Sequence, residues 1–181
     1  MMKIILIGDG AVGKTALKQQ YLGEGYRSSY LMTVGADFAN KNIEISGKGI
    51  LKTQIWDLAG QPSYAETRSQ YYSSSHGCLV VFDVTRRRSF DNVTNWLKEL
   101  IRNVSWGAMP IVLVGNKIDL REEGKDAVSF DEGQRLAQHI SAAYCEDAFE
   151  VPYIETSAKD EINVEKAFLS LAEVILEIFR S

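Results

Sequence analysis

An unbroken apolar run, Ile4 to Ile7, ends in Gly8-Asp9-Gly10-Ala11-Val12-Gly13-Lys14-Thr15, and a helical pattern starts directly behind it. Glycine packs little and weakens regular structure, and a lysine at a strand end packs nothing, so this stretch is shaped for a ligand rather than for a core. Glycines at 8, 10 and 13 let the chain curl through left-handed backbone, so that successive N–H groups turn inward at a helix N-terminus and form a nest for an anion. Side chains there would fill the space. The Gly8-x4-Gly13-Lys14-Thr15 spacing lets Lys14 reach β- and γ-phosphate oxygens and sets the Thr15 hydroxyl beside the Mg²⁺ that such phosphates carry.

The strand, loop and helix of that segment recur along the chain. Leu79 to Phe82 and Ile111 to Val114 are apolar without alternation, as expected of parallel strands covered on both faces. Phe90, Val93, Leu97, Leu100/Ile101 and Val104 keep helical spacing, as do Val164, Phe168, Leu171, Ile175 and Ile178/Phe179. Between residues 37 and 57, two extended stretches flank Ser46-Gly47-Lys48-Gly49 and read as a hairpin, which adds an antiparallel strand and makes the sheet mixed. Residues 142–152 read as a long connecting loop. The 181 residues, 45% of them hydrophobic, can bury one core, and no linker or repeat splits the predicted α/β domain 1–181.

Composition excludes some partners. A net charge of −4 argues against nucleic acid, and Arg86-Arg87-Arg88, the one basic cluster, reads as a solvated loop. No apolar run is long enough to span a membrane. Cys78 and Cys145 form neither a disulfide framework nor a ligand spacing, which fits a reducing cytosol and a cytoplasmic protein. His76 and His139 read as structural or surface residues.

Three further motifs close strands. Trp56-Asp57-Leu58-Ala59-Gly60-Gln61 sets Asp57 where a carboxylate holds Mg²⁺ through water, Gly60 where an N–H meets a γ-phosphate, and Gln61 where it orients attacking water. In Asn116-Lys117-Ile118-Asp119, the Asp119 carboxylate accepts from both N1–H and the 2-amino group of guanine, a donor pair that adenine lacks. A buried acceptor left unpaired rejects the wrong base by roughly 10⁴ or more in favourable cases. Lys117 lays its stem over the ring, Asn116 braces the phosphate loop, and Glu155-Thr156-Ser157-Ala158-Lys159 closes the pocket with the Ala158 N–H on guanine O6.

With GDGAVGKT, YLMTVGADF, WDLAGQ, NKID and ETSAK in this order, the sequence resembles the Ras-like small GTPases, most closely the Rab branch, from Lys3 to about Phe179. The resemblance implies a P-loop NTPase G domain: a six-stranded, mostly parallel sheet with one antiparallel strand, flanked by about five helices. It implies a GTP/GDP switch that hydrolyses GTP with Mg²⁺, through Lys14, Thr33 and Gln61, with Thr15, Thr33 and Asp57 at the metal. Nucleotide contacts are implied for Asp9 to Ala16 (Asp9, Gly10, Ala11, Val12, Gly13, Lys14, Thr15, Ala16), Tyr26, Tyr30, Thr33, Gly60, Asn116, Lys117, Asp119, Ser157, Ala158 and Lys159. Segments near 26–38 and 59–72 are implied to order with the γ-phosphate. They would meet an exchange factor, a GTPase-activating protein and effectors at a Phe38, Trp56, Tyr71 surface, the switch itself being a monomer. Core packing of these three aromatics is an equal alternative from spacing alone.

Two departures from the family pattern stand out. Pro62 replaces the usual glutamate after Gln61, which biases Gln61 toward extended backbone and removes an acidic group that exchange factors use. Neither cysteine lies near Arg180-Ser181, so membrane contact is not expected of this chain unless a lipidated tail lies beyond it. No arginine in the matched motifs is placed to act on the phosphates, so slow hydrolysis without a partner is expected. A nucleotide-loaded scaffold with little or no hydrolysis is the alternative to a working switch.

Overall fold

Apolar runs without alternation need cover on both faces, and the sheet supplies it. The computed structural model describes residues 1–27, 32–104, 107, 109–122, 126–145 and 148–180. In chain order the elements are β1 (Met2–Ile7), α1 (Lys14–Leu22), β2 (Ala36–Ile45), β3 (Gly49–Leu58), α2 (Ala65–Tyr72), β4 (Gly77–Asp83), α3 (Arg87–Asp91), α4 (Val93–Asn103), β5 (Ile111–Asn116), α5 (Phe130–Tyr144), β6 (Tyr153–Thr156) and α6 (Val164–Arg180). The sheet order is β2-β3-β1-β4-β5-β6. All neighbours are parallel except β2 and β3, which pair antiparallel with Phe38 opposite Trp56. Five helices of eight residues or more flank it among the described residues, with the single-turn α3 leading into α4.

Successive β1 residues point to opposite faces, so its run feeds two cores. Ile4 and Leu6 pack with Leu17 and Tyr21 of α1 and Phe168, Leu171 and Ile175 of α6. Ile5 and Ile7 pack with Tyr72, Val93, Leu97 and Ile140 on the other side. Each fully buried Leu or Ile contributes about 1.5–3 kcal/mol, which is why a continuous apolar strand is stable only here. Cys78 and Cys145 are free thiols buried in the second core.

Three details differ from expectation. The helix predicted to reach Val104 ends at Asn103, with Val104 extended at φ −91° and ψ 129°, and Ile101 is 45% exposed. The stretch read as a loop from Ala142 begins as the last turn of α5, which runs to Tyr144. The arginine triplet is not merely solvated. Arg87 bonds Asp126 and Glu132, holding the Glu132 carboxyl down at about 2 together with the Ser129 N–H at the capped start of α5, and Arg86 reaches the phosphate loop.

Strand order turns at β1, which lies between β3 and β4, and the strands from β3 to β6 run parallel, so the loops leaving β1, β3, β5 and β6 gather at one edge. Open α/β sheets bind ligands in this crevice.

Candidate functional site

A cavity of about 300 Å³ opens at that edge. Gly10, Ala11, Gly13, Lys14, Thr15 and Ala16 form its floor, Tyr26 and Thr33 one side, and Gly60 and Gln61 another. Asn116, Lys117, Asp119, Ala158 and Lys159 close the far end. Gln19, Arg27 and Leu120 also line it, although no motif marked them. Asp9, Val12, Asp57 and Ser157 stand behind the wall, and Tyr30 lies outside the described residues.

The loop is shaped by steric exclusion. Gly8 has φ 141° and Gly13 φ 101°, and a Cβ on either would strike the Val81 carbonyl or the Asn116 amide. Gly10 does not use left-handed backbone; Ala11 does, at φ 64°. Carbonyls along the loop are taken by side chains: Lys14 Nζ donates to Gly8 and Asp9 at 2.7 and 2.8 Å, Lys117 Nζ to Ala11 at 2.7 Å, and Asn116 Nδ2 to Val12 at 3.0 Å. Asn116 braces the loop as its motif implied. The Asp9 carboxylate turns away from the cavity, accepting from Asn92 Nδ2 at 2.5 Å and Trp96 Nε1 at 2.7 Å.

Burial lowers the Lys14 pKa to about 8, with Arg68 and Arg86 adding to the fall and Asp57 and Asp9 opposing it. A bound phosphate restores the ammonium, so binding takes up a proton wherever the free lysine is neutral. Nucleotide affinity is therefore expected to be flat below about pH 7 and to fall by up to tenfold per unit above about pH 8. The folded pKa lies below the unfolded one, so the unliganded chain should gain stability over the window from about pH 8 to 10.5. Titration calorimetry in buffers of different ionisation enthalpy reads the proton uptake; affinity unchanged to about pH 9.5 would refute the assignment of Lys14 to the phosphates.

Three oxygens converge beside this lysine. Thr15 Oγ1 donates to Asp57 Oδ2 at 2.5 Å, Thr33 Oγ1 donates to the same oxygen at 3.0 Å, and the two hydroxyls are 3.0 Å apart. Asp57 is fully buried and its Oδ1 has no hydrogen-bond partner, an orphan acceptor that calls for a cation or its water. Two hydroxyls and one carboxylate are hard donors, and among the described residues no group of three or more His, Cys, Asp or Glu could hold a metal. So sparse a set fits Mg²⁺ shared with substrate phosphates.

Gln61 sits at φ −77° and ψ 144°, the extended backbone that Pro62 demands, and Pro62 opens a short 3₁₀ turn to Tyr64. The Gln61 Oε1 is buried and unpaired. Arg68 holds this segment from α2, donating from Nη1 to the Ala59 and Gln61 carbonyls, both at 2.8 Å. Its guanidinium is itself fixed by a two-pronged pair with Glu99 at 2.8 and 2.9 Å and lies over the Trp96 ring. Burial disfavours both charges of this pair, and their mutual bonding outweighs it. Sequence reading missed Arg68 and Glu99.

At the far end Lys117 adopts φ 69° and pairs with Asp83 at 2.8 Å. Asp119 Oδ1 accepts from Ser157 Oγ at 2.6 Å. Asn116 Oδ1 accepts from Thr156 Oγ1 at 2.9 Å and from the Ala158 N–H at 3.3 Å, so that N–H already has a partner within the chain.

Outside the cavity, Phe38 stacks on Trp56 at 4.5 Å and Trp56 meets Tyr71 at 5.0 Å, with Lys3 Nζ over the latter two rings. Phe38 is 49% exposed, whereas Trp56 and Tyr71 are half-buried against the second core, so the trio runs from core to surface. His76 accepts from the Lys3 N–H through Nδ1, and His139 is exposed on α5.

The family model described as the Ras family matches residues 3–177. Over 172 residues, 95% of this chain and 79% of the relative, the sequence is 44% identical to the Ras-related protein RIC1 of Oryza sativa subsp. japonica. It is 42% identical to the Ras-related protein RABD1 of Arabidopsis thaliana, over 95% of this chain and 78% of that one. Identity to the GTP-binding protein YPT1 of Saccharomyces cerevisiae is 40%, over 98% of this chain and 80% of the relative. The loop, the buried carboxylate and the far-end motif thus stand in a chain that belongs to the Ras family and is a Rab-branch GTPase.

Proposed function

We propose that this GTPase reads the γ-phosphate through Thr33 and Gln61, and that the Thr15, Thr33 and Asp57 cluster is where nucleotide state becomes shape. The observation that carries this is the meeting of the two hydroxyls on Asp57 Oδ2, because it ties a residue of the 26–38 segment to the phosphate loop and the end of β3. Thr15, Thr33 and Asp57 hold Mg²⁺, which when bound offsets charge on the phosphate oxygens. Lys14 and the inward N–H groups of the loop bind those phosphates. Gln61 orients water, Asp119 selects guanine, and Lys117 and Tyr26 cover the ring.

Release of the γ-phosphate frees Thr33 and the 59–72 segment, and the Phe38, Trp56, Tyr71 surface changes with them. An exchange factor, a GTPase-activating protein and effectors read that surface, and the switch acts as a cytoplasmic monomer. Among the described residues no helix is long and apolar enough to cross a membrane. In Ras-type enzymes a partner's arginine is worth about 10³–10⁵ in rate, so turnover alone is slow.

Nucleotide extracted from the purified protein should be GDP or GTP, and single-turnover assays should show slow hydrolysis that needs Mg²⁺. Adenine nucleotide in the extract would sink the base assignment; a guanine nucleotide that is never hydrolysed would leave only a loaded scaffold.

A further inference from the structure

We propose that Arg86 is a positioning residue for hydrolysis: by holding the Gly10 carbonyl outward, it turns the Ala11 N–H into the phosphate end of the cavity. Its Nη2 donates to Gly10 O at 2.7 Å, while Arg86 itself does not line the cavity. The peptide between Gly10 and Ala11 is planar and trans, so its N–H points opposite to the carbonyl that Arg86 holds. That direction is the cavity, which Gly10 and Ala11 line.

An alanine at φ 64° does not stay there unaided, because its Cβ crowds the backbone. The carbonyls on either side of its Cα are both held by cations, Gly10 O by Arg86 and Ala11 O by Lys117. One buried residue, Asp83, touches both, Lys117 through its carboxylate and Arg86 through its backbone carbonyl. Its Oδ2 pairs with Lys117, its Oδ1 accepts from the Thr85 N–H and hydroxyl, and its backbone carbonyl accepts from the Arg86 N–H at 3.0 Å. Ser89 then fixes the Arg86 carbonyl, through its N–H at 2.8 Å and its hydroxyl at 2.7 Å. Among the described residues no carboxylate forms an ion pair with Arg86, so its guanidinium is committed to the loop.

The inference rests on reading the loop as a phosphate cradle. In hydrolysis water adds to the γ-phosphorus as the bond to the bridging oxygen breaks and its electron pair stays on that oxygen, giving GDP, inorganic phosphate and a proton. An N–H already aimed at the phosphates stabilises charge as it develops, with no reorganisation at the moment of reaction. Arg86 touches no reacting atom; it sets that donor.

Arg86→Ala is expected to slow single-turnover hydrolysis about tenfold, to change GDP affinity less than about threefold, and to move the Ala11 amide proton resonance of the GDP-bound protein upfield. Guanidinium ion at about 20 mM should restore part of the rate, and methylammonium should not, because only a planar fork replaces the lost one. Should Arg86→Ala fail to fold, Arg86→Lys keeps the charge without the fork and is expected to show a smaller loss with an amide shift of the same sign. Native hydrolysis in the variant, or slowed hydrolysis with the Ala11 resonance unmoved, overturns the proposal. If the unsubstituted protein fails to bind guanine nucleotide, the cradle reading itself fails, and the two failures are distinct.

Discussion

Asp119→Asn is expected to weaken GDP binding by roughly 10²- to 10⁴-fold while the thermal midpoint of the unliganded protein moves by only a few degrees. Among the described residues that line the cavity the carboxylate is the single acidic acceptor, carried on a short turn that follows the left-handed Lys117. It accepts from Ser157, which aims it, and it lines the cavity where the proposed base would lie. Hydrogen bonds to a charged acceptor contribute about 1.5–3 kcal/mol each, so losing the pair to N1–H and the 2-amino group costs about 3–6 kcal/mol. An asparagine accepts one of these donors and sets its own N–H against the other. The same swap should improve binding of xanthosine diphosphate, whose carbonyl at position 2 accepts that N–H. Competition between the two diphosphates reads both changes at once; a variant that still prefers GDP by the native margin would show that Asp119 does not choose the base.

How far the site could be read from sequence depended on whether its residues act through local chain geometry. Lys14, Thr15, Asp57, Asn116 and Asp119 could be placed because each stands at the end of a strand or just past it, and strand ends in a parallel sheet share one edge. The mixed sheet was legible for a similar reason: a hairpin needs only its turn and two extended flanks. Long-range pairs left no such trace. Arg68 meets Glu99 from another helix, and Arg86 meets Gly10 across most of the first half of the chain. A charged residue in a helical or loop pattern looks solvated until its partner is known. Backbone angles were hidden too, since glycine at position 10 suggests left-handed backbone that Ala11 in fact carries. Aromatics at 38, 56 and 71 have the same hydropathy in a core or on a surface, and only the pairing of β2 with β3 and the approach of α2 to Trp56 place them.

The other large effect concerns a position with no space. A Cβ added at Gly60 would lie 2.5 Å from Gly10 N, 2.5 Å from Gly8 O and 2.6 Å from Asp9 C, all backbone atoms that cannot rotate away. Gly60→Ala must therefore part the segment after β3 from the phosphate loop by about 1 Å to reach ordinary contact. Arg68 ties Ala59 and Gln61 to Glu99, so the displacement either breaks those bonds or carries Gln61 with it. A misplacement of this size near reacting groups costs about 10² in rate, so single-turnover hydrolysis should fall by that order. GDP affinity should fall far less, because Asn116 and Asp119 lie on elements that the collision does not touch, and Lys14 stands on α1, beyond the struck backbone of Gly8 to Gly10 that its Nζ bonds. Gly10 supplies the contrast, since a Cβ there meets only Gln61 Nε2 at 3.5 Å, an ordinary contact with the end of a flexible side chain. Alanine at Gly10 should leave the backbone in place and disturb Gln61 alone, giving the smaller loss of the two. A Gly60→Ala protein that hydrolyses GTP at the native rate would mean that the segment after β3 leaves the phosphate loop before water attacks.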